Sequence, residues 1–542
     1  MAGKHTLEEL NHCSREELIT IVLMMQGQLD ALNENIERLI EQIRIANNYR
    51  FGKHTETLDS IDGQLSFFNE AEGSFDESVP EPDPEEVLPS KHSKKKKGQR
   101  NIDLKDFQEE IIPPYSVSRE QLDAFYGQGN WRRLPDETYK RLRHEPESWT
   151  VEVHTVEVYV GTGGDHQDEF LRGNRPKDIL RNSIVTPSLL ASILNVKYVN
   201  SSALYRIEQE FQRNGVNISR QTMSNWIIRC SDRYFVPFVE RMKQELLTLP
   251  VTQSDETPTQ VIGDSDHPNS KCYMWVHRSG EFYEKRPIVI YEYQKGRDHH
   301  KPLDFYKDYK GFLVTDSLEQ YHLLDKKLPD VTNANCWAHA RRAFADAVKA
   351  ADKRDPQAVR NSVAYQALQK IAAFYNADTE LKKLSSEKRL QKRQEFIRPM
   401  VEEFFAWVKR QVAECTVPPK SKTGQGLAFI INQESYLKIF LTNGDVPIDN
   451  SASERVIRTF CIGKKNWMFH NTAKGAASSA LVYSISETAK LNNLRPYYYF
   501  KYILTELPKL SDEKGNIDPA KLVHLMPWSE ELPEECRKPR RQ

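Results

Sequence analysis

The chain has 542 residues, 39% hydrophobic and 28% charged, and its 76 Lys and Arg balance 77 Asp and Glu to a net charge of −1. At about 150 residues per domain, this length points to three or four globular units joined by polar segments. The charge balance excludes a uniformly basic nucleic-acid coat but allows a local basic face.

Residues 1–48 are expected to form a dimerisation helix. Leu18, Val22, Met25, Leu29, Leu32, Ile36, Leu39 and Ile43 alternate steps of four and three, which keeps one apolar seam facing a partner helix in a coiled coil. Packing on its own domain is the plainer alternative, and Gly27 weakens the pattern. Residues 49–100 open with YRFGKHTETLD, become acidic and Pro-rich over 69–89, and end in the basic run KHSKKKKGQR at 91–100. Such blocks repel internally and bury little, so 69–100 reads as a linker. Its basic run suits either DNA phosphates or a solvated tether.

Residues 101–177 read as a small β-containing module. Val151 and Val153 alternate, then Val156, Val158 and Val160 alternate with opposite parity, which predicts a bulge or turn near His154. Residues 178–245 turn helical. A helix over about 201–214, a turn at Gly215 and a second helix capped by Ser219 form a helix-turn-helix pattern. Met223, Trp226 and Ile227 share its inner face. Arg220, Gln221, Ser224 and Asn225 would then face a DNA major groove. An ordinary helical hairpin fits the same residues equally well.

From residue 246 to 351 the element order is informative. Strands are expected at 251–261, 271–278 and 286–293, then a helix at 299–309, a strand at 311–316 and a short helix. A last strand, ANCW at 334–337, precedes the helix in AHARRAFADAVKAA. This order indicates a mixed α/β sheet. Residues 352–440 read as a helical insertion broken near Pro399 and Pro418–Pro419. Residues 441–505 return a final helix to the sheet near 451–460, and 506–542 form a C-terminal tail. No apolar run approaches the roughly 18–20 residues that span a bilayer, and the first residues lack the order of a signal peptide. A cytoplasmic protein with no membrane contact is expected. None of the seven cysteines forms a CxxC pair, which argues against a disulfide framework or a Cys-rich zinc site.

Three carboxylates stand out. Asp255 sits inside the first strand of the sheet, Asp316 at the end of the fourth strand, and Glu454 early in the last helix. Converging, they would repel one another unless cations intervened. Oxygen ligands suit Mg²⁺ or Mn²⁺, and a pair of such ions would serve phosphodiester displacement. Spacing alone equally allows Asp316 to cap the next helix and Glu454 to pair with Arg458. Cys336 and His339 have CxxH spacing, but two ligands are too few for a structural zinc site. Beside the carboxylates they suit an accessory role, and otherwise a buried structural pair.

PIDNSASERVIR at 447–458, GKKNWMF at 463–469 and SISETAKLNNLRPYYY at 484–499 resemble the C-terminal signature of the insertion-sequence sixty-six family of transposases. SDETP at 254–258, VTDSLEQY at 314–321, CWAHARRAF at 336–344 and VHLMPW at 523–528 resemble its other blocks, in order. YRFGKHTETLD and GQLSFFNEAE at 63–72 resemble its N-terminal block.

The resemblance implies an RNase H-like core of the DDE class, preceded by the coiled coil, the small β-containing module and the helix-turn-helix. It implies Asp255, Asp316 and Glu454 as catalytic ligands of two Mg²⁺ or Mn²⁺ ions, with Asp449 as fallback for the third. Arg455, Arg458, Lys464 and Lys465 would contact DNA phosphates, and Trp467 would stack on an unpaired base or pack in the core. Water would cut one strand at an element end, and the exposed 3′-hydroxyl would attack target DNA. The implied partners are terminal inverted repeats, target DNA, a second copy or higher oligomer, and accessory proteins of the same element in a bacterial nucleoid. The family's usual cysteine pairs are missing between residues 14 and 229, so no zinc is expected in 101–177. A non-catalytic DNA-binding protein, and a nuclease of the same fold without strand transfer, are the competing readings.

Overall fold

A computed structural model describes residues 14–51, 149, 158–160, 170–172, 177–181, 183–264, 271–297, 300–351, 356–512 and 515–539. The chain divides into two compact units. One comprises Met1–Glu72 and Lys177–Lys538, the other Gly73–Pro176 and Pro539–Gln542. In the second unit the described structure is one antiparallel hairpin, β1 (Val158–Val160) with β2 (Phe170–Arg172). The bulge expected near His154 and the 69–100 linker lie outside the described residues.

The first unit opens with a helix, α1 (Arg15–Phe51). A reciprocal cap starts it: Ser14 N donates to Glu17 Oε2 at 2.7 Å, and Glu17 N donates to Ser14 Oγ at 3.3 Å. Two orphan amides are thereby satisfied. The helix continues through Gly27. All eight apolar seam residues, from Leu18 to Ile43, are exposed.

Four more helices lead to the sheet: α2 (Pro187–Leu194), α3 (Leu204–Arg213), α4 (Arg220–Cys230) and α5 (Val236–Leu246). Gly215, at φ 78°, makes the turn between α3 and α4. Ser219 caps α4 through Thr222 N at 3.1 Å, as the sequence predicts. Met223, Trp226 and Ile227 enter the same hydrophobic core as Trp275 and Tyr291 of the sheet, so the helix pair and the sheet share one core.

The sheet contains β3 (Val251–Thr259), β4 (Cys272–Ser279), β5 (Val289–Lys295), β6 (Gly311–Thr315) and β7 (Val331–Asn335), in the order β5-β4-β3-β6-β7. β5, β4 and β3 pair antiparallel, while β3, β6 and β7 pair parallel. Helix α6 (His300–Tyr306) precedes β6, and α7 (Glu319–Lys327) separates β6 from β7. The expected strand at ANCW is corrected: β7 ends at Asn335, Cys336 begins the turn, and Trp337 is already the first residue of α8 (Trp337–Ala350).

The described part of the insertion is built from helices: α9 (Pro356–Asn361), α10 (Val363–Glu380), α11 (Ser386–Lys392), α12 (Arg398–Ala413), α13 (Lys422–Asn432) and α14 (Glu434–Leu437). Pro399 does not break it. A π-helical turn, Arg393–Ile397, joins α11 to α12, and Pro399 occupies the first turn of α12, where its missing N–H has no helical partner to lose. Pro418 and Pro419 do lie between helices.

Helices α15 (Ser451–Trp467), α16 (Ala473–Leu491) and α17 (Pro496–Leu510) return to the sheet. α16 is buried yet rich in Ser and Thr because it covers the β5 edge. Val289 N donates to Thr488 Oγ1 at 2.9 Å and Tyr291 N to Ser484 Oγ at 2.8 Å. Edge amides that would otherwise seek another strand are thus satisfied. The tail after α17 folds back, burying Leu522, Leu525 and Met526.

The insertion is fastened by a buried ion pair. Arg393 Nε donates to Asp378 Oδ1 at 2.6 Å and Nη2 to Oδ2 at 3.0 Å. Nη1 donates to the carbonyls of Phe440 and Val446 at 2.9 and 2.8 Å. Both side chains are excluded from solvent. Asp378→Ala would leave a buried guanidinium without its carboxylate and should cost about 3–5 kcal/mol. The urea midpoint measures this; an unchanged midpoint would show that the pair carries no stability.

Candidate active site

Asp255 lies in the middle of β3, flanked by antiparallel β4, where it opposes Val276. The parallel partner β6 ends one residue before Asp316. Glu454 lies in the first turn of α15. Asp255 is held well above the usual carboxylate range, first by burial and then by the negative charges of Glu256, Glu454 and Asp316. The charges of Glu454 and Asp316 therefore both act on Asp255, although the three come from distant parts of the sequence. Burial also pushes Asp316 up to about 7, aided by Glu256 and opposed by the Leu318 amide, Arg297 and Arg342. The Leu318 amide donates to Asp316 Oδ1 at 3.3 Å, so Asp316 also supports the turn into α7.

A knot of neutral hydrogen bonds holds the start of α15 against β3. Asn450 is wholly buried. Its Nδ2 donates to Ser254 O at 2.7 Å, and its Oδ1 accepts from Gln253 Nε2 at 3.2 Å and Ser453 Oγ at 2.9 Å. Its amide donates to Cys336 Sγ at 3.1 Å. Cys336 N in turn donates to Thr315 O at 3.0 Å, next to Asp316, and Trp337 N to Ile448 O at 3.2 Å. All three carboxylate-bearing segments meet in this network.

Cys336, His339 and Glu454 also gather, their donor atoms within 4.8 Å of one another. His339 Nδ1 is 3.8 Å from Glu454 Oε1, beyond hydrogen-bond reach. Burial and then Arg342 pull the His339 imidazole down to about 4, so it is neutral at physiological pH. The Cys336 thiol is buried and already accepts the Asn450 amide.

The sequence reading passed over Glu256. Its carboxylate is shielded from water, bonded by the Arg297 guanidinium, through Nε at 2.8 Å, and by Tyr321 Oη at 2.8 Å. Ser254, His277 and Glu292 look superficially like a nucleophile triad, with Ser254 Oγ 2.8 Å from His277 Nδ1. Ser254 and His277 are fully buried, so no substrate reaches that hydroxyl.

The other predicted residues are placed as follows. Asp449 Oδ1 accepts from Ser451 N at 2.9 Å, and its charge acts on Tyr375 and Cys336. Arg455 pairs with Glu281 at 3.0 Å. Lys464 Nζ donates to Pro258 O at 2.5 Å, and Lys465 is exposed. Trp467 turns inward against Phe460, ring centroids 5.4 Å apart. On α4, Arg220, Gln221 and Asn225 are exposed and Ser224 is half-buried.

The sequence model of the family described as “Transposase IS66 family” matches residues 182–478, from before α2 into α16. The chain belongs to this family. The match takes in every element that carries Asp255, Asp316, His339 and Glu454. Family membership supports a transposase function and, with it, an enzymatic role. The chain is also similar to three proteins of Sinorhizobium fredii (strain NBRC 101917 / NGR234). “Uncharacterized protein y4qI” is 24% identical over 92% of this chain and 89% of its own length. “Uncharacterized protein y4hP” is 24% identical over 64% of this chain and 62% of its own, and “Uncharacterized protein y4jD” 24% over 67% and 70%. Among the described residues, no helix is long and apolar enough to cross a membrane.

The raised Asp316 carboxyl has a consequence for stability. Its folded value of about 7 lies above the unfolded one, about 4. The fold therefore favours the protonated form: its contribution is full below about pH 4 and lost as pH rises through about 7. In EDTA at pH 8, Asp316→Asn should be more stable than wild type by on the order of 4 kcal/mol, the two converging near pH 4. Thermal unfolding at both pH values checks this; identical behaviour throughout would show that Asp316 is not crowded.

Proposed function

We propose that this protein is a DDE transposase that binds the terminal inverted repeats of its element, cleaves one strand and joins the freed end to target DNA. The observation that carries the reading is the crowding of Asp255, Asp316 and Glu454 on three separate elements. The strand order supports an RNase H-like core: three antiparallel strands continued by two parallel ones, with a helix bearing the last acid. Glu454 is preferred over Asp449, because the charge of Glu454 acts on Asp255.

The donor set fits hard divalent cations. Desolvated like charges are costly alone and gain from a shared positive ion. Asp255, Asp316 and Glu454 would hold Mg²⁺ or Mn²⁺, which when bound supplies activation of the attacking hydroxyl and stabilisation of the leaving oxygen. The chain's own groups do the rest. Asn450 and Gln253 fix the Glu454 helix to the Asp255 strand. Arg297 is engaged by Glu256. Neutral His339 adds no charge beside Glu454. Hydrolysis breaks the bond between phosphorus and O3′, leaving a 3′-hydroxyl that attacks a target phosphate in the second step.

The outer face of α4, with Arg220, Gln221, Ser224 and Asn225, is the proposed major-groove reader. Its opposite face is buried, which gives the helix a rigid base. The exposed seam of α1 is the proposed dimer contact, since eight apolar residues at coiled-coil spacing are exposed.

On duplexes carrying the element's ends, wild type with Mg²⁺ should nick and join. Asp316→Asn should retain binding and lose both reactions by at least about 10³-fold, the scale of removing an essential electrostatic group. Cleavage by the variant at the wild-type rate would remove Asp316 from the mechanism. Nicking without joined products would favour a nuclease, and binding without nicking a DNA-binding protein.

Protein lacking residues 1–48 should sediment at half the native mass if α1 is the dimer contact. The native mass in the truncated chain would place the contact elsewhere.

A further inference from the structure

We propose that the turn after α15 is a wedge that opens a base step of the bound DNA, an inference that rests on the transposase reading. Helix α15 ends at Trp467, and Met468 then adopts φ 64° and ψ −52°. Phe469 N donates to Trp467 O at 2.9 Å across it, which makes a γ-turn of the rare, strained, positive-φ kind. Gly or Asn would take that conformation at less cost than Met. The strain is not offset by packing of the side chain, because Met468 is 69% exposed and Phe469 41%. Unrelieved strain that presents an apolar side chain to solvent points to a functional contact.

The base of the turn is firm. His470 N donates to Gln260 O at 3.0 Å, Ile262 N to His470 O at 2.9 Å and Gly263 N to Asn471 O at 2.9 Å. Lys464 ties the last turn of the helix to Pro258 O. Trp467, the aromatic singled out by sequence as a base-stacking candidate, instead turns inward under the turn against Phe460 and His470. The side chains carried outward are Met468 and Phe469, with exposed Ile262 on the facing segment.

Charge identifies the occupant. Beside the turn in sequence stand Lys464, Lys465 and Lys474, and between Glu454 and Glu487 the chain has no acidic residue. Asp264, on the facing segment, is engaged by Tyr293 Oη at 2.6 Å and by Lys295. An apolar knuckle among cations is suited to a polyanion with stackable faces, and apolar side chains that enter a base step kink the duplex. The same helix fixes the distance. Glu454 and Met468 are separated by 14 residues, about 21 Å of helix. With the duplex lying along α15, at about 3.4 Å per nucleotide, the wedge would meet the DNA about six steps from the phosphate at the proposed metal site of Glu454.

The test uses full-length protein carrying Asp316→Asn, so that DNA stays intact, and duplexes of the element's terminal repeat. Each duplex carries one 2-aminopurine between about the fourth and eighth step from the cleavage position. Fluorescence should rise on binding at one step near the sixth. Adding Met468→Gly should abolish the rise without lowering the melting temperature, because glycine relieves the turn. Phe469→Ala should reduce it. A rise that persists in Met468→Gly overturns the wedge, as does binding without a rise at any step. Those outcomes leave the transposase reading standing. Failure of the parent protein to retard the duplex overturns both.

Discussion

Three carboxylates that repel one another must be held together by something other than charge. A cation supplied by the protein would relieve the repulsion but would compete with the divalent ions proposed for the site. The structure uses neutral groups instead. Asn450 joins β3 to the start of α15 through Ser254 and Gln253, and joins α15 to the end of β7 through the Cys336 thiol. Hydrogen bonds in this dry position are stronger than in water, and each would be costly to leave unmade. Arg297, the guanidinium that acts on Asp316, is meanwhile engaged by Glu256 and braced by the Tyr273 ring, 5.5 Å away.

The helical insertion contributes to the same constraint. Arg393 and Arg389 reach from a single helical stretch to the carbonyls between Phe440 and Val446. That segment runs directly into Ile448, Asp449 and Asn450. The insertion therefore fixes the approach to α15 from one side, while Ser254 and Gln253 fix it from the other. On the far edge of the sheet, Ser484 and Thr488 of α16 close β5, and Tyr291 Oη donates to Val456 O of α15 at 2.7 Å. The sheet, α15 and α16 thus behave as one body around the carboxylates.

Much of this arrangement was legible in the sequence. Four of the five strands show as short β-rich runs between turn signals, and Ser219 and Gly215 mark their helix pair by local chemistry alone. What the sequence hid depends on partners far along the chain. ANCW reads as an apolar strand, yet its last two residues leave the sheet because Cys336 and Trp337 bond toward Asn450 and Ile448. Pro399 reads as a break, yet the preceding π-helical turn lets it begin a helix. Asp255 and Glu256 are adjacent acids that composition cannot tell apart. A strand points them to opposite faces, and only the fold shows that Glu256 meets Arg297 and Tyr321. Trp467 takes the core-packing place of its two expected ones, against Phe460 and His470, while the positive-φ Met468 after it is exposed.

In the proposed function, helix α15 would link the carboxylates to the bound DNA, and its rigidity would give that link meaning. Gly463 lets it press against α16: a Cβ there would stand 2.4 Å from the Tyr483 hydroxyl. Its first turn is locked by Asn450, its middle by Tyr291 and its last turn by Lys464 on Pro258. A helix held at three points cannot pivot to follow a straight duplex. If the proposed metal site at Glu454 engages a phosphate at one end while Met468 projects at the other, the conformational adjustment must occur in the DNA. Deforming a duplex depends on the sequence being deformed, so such a helix would discriminate among DNA ends without touching the edges of their bases.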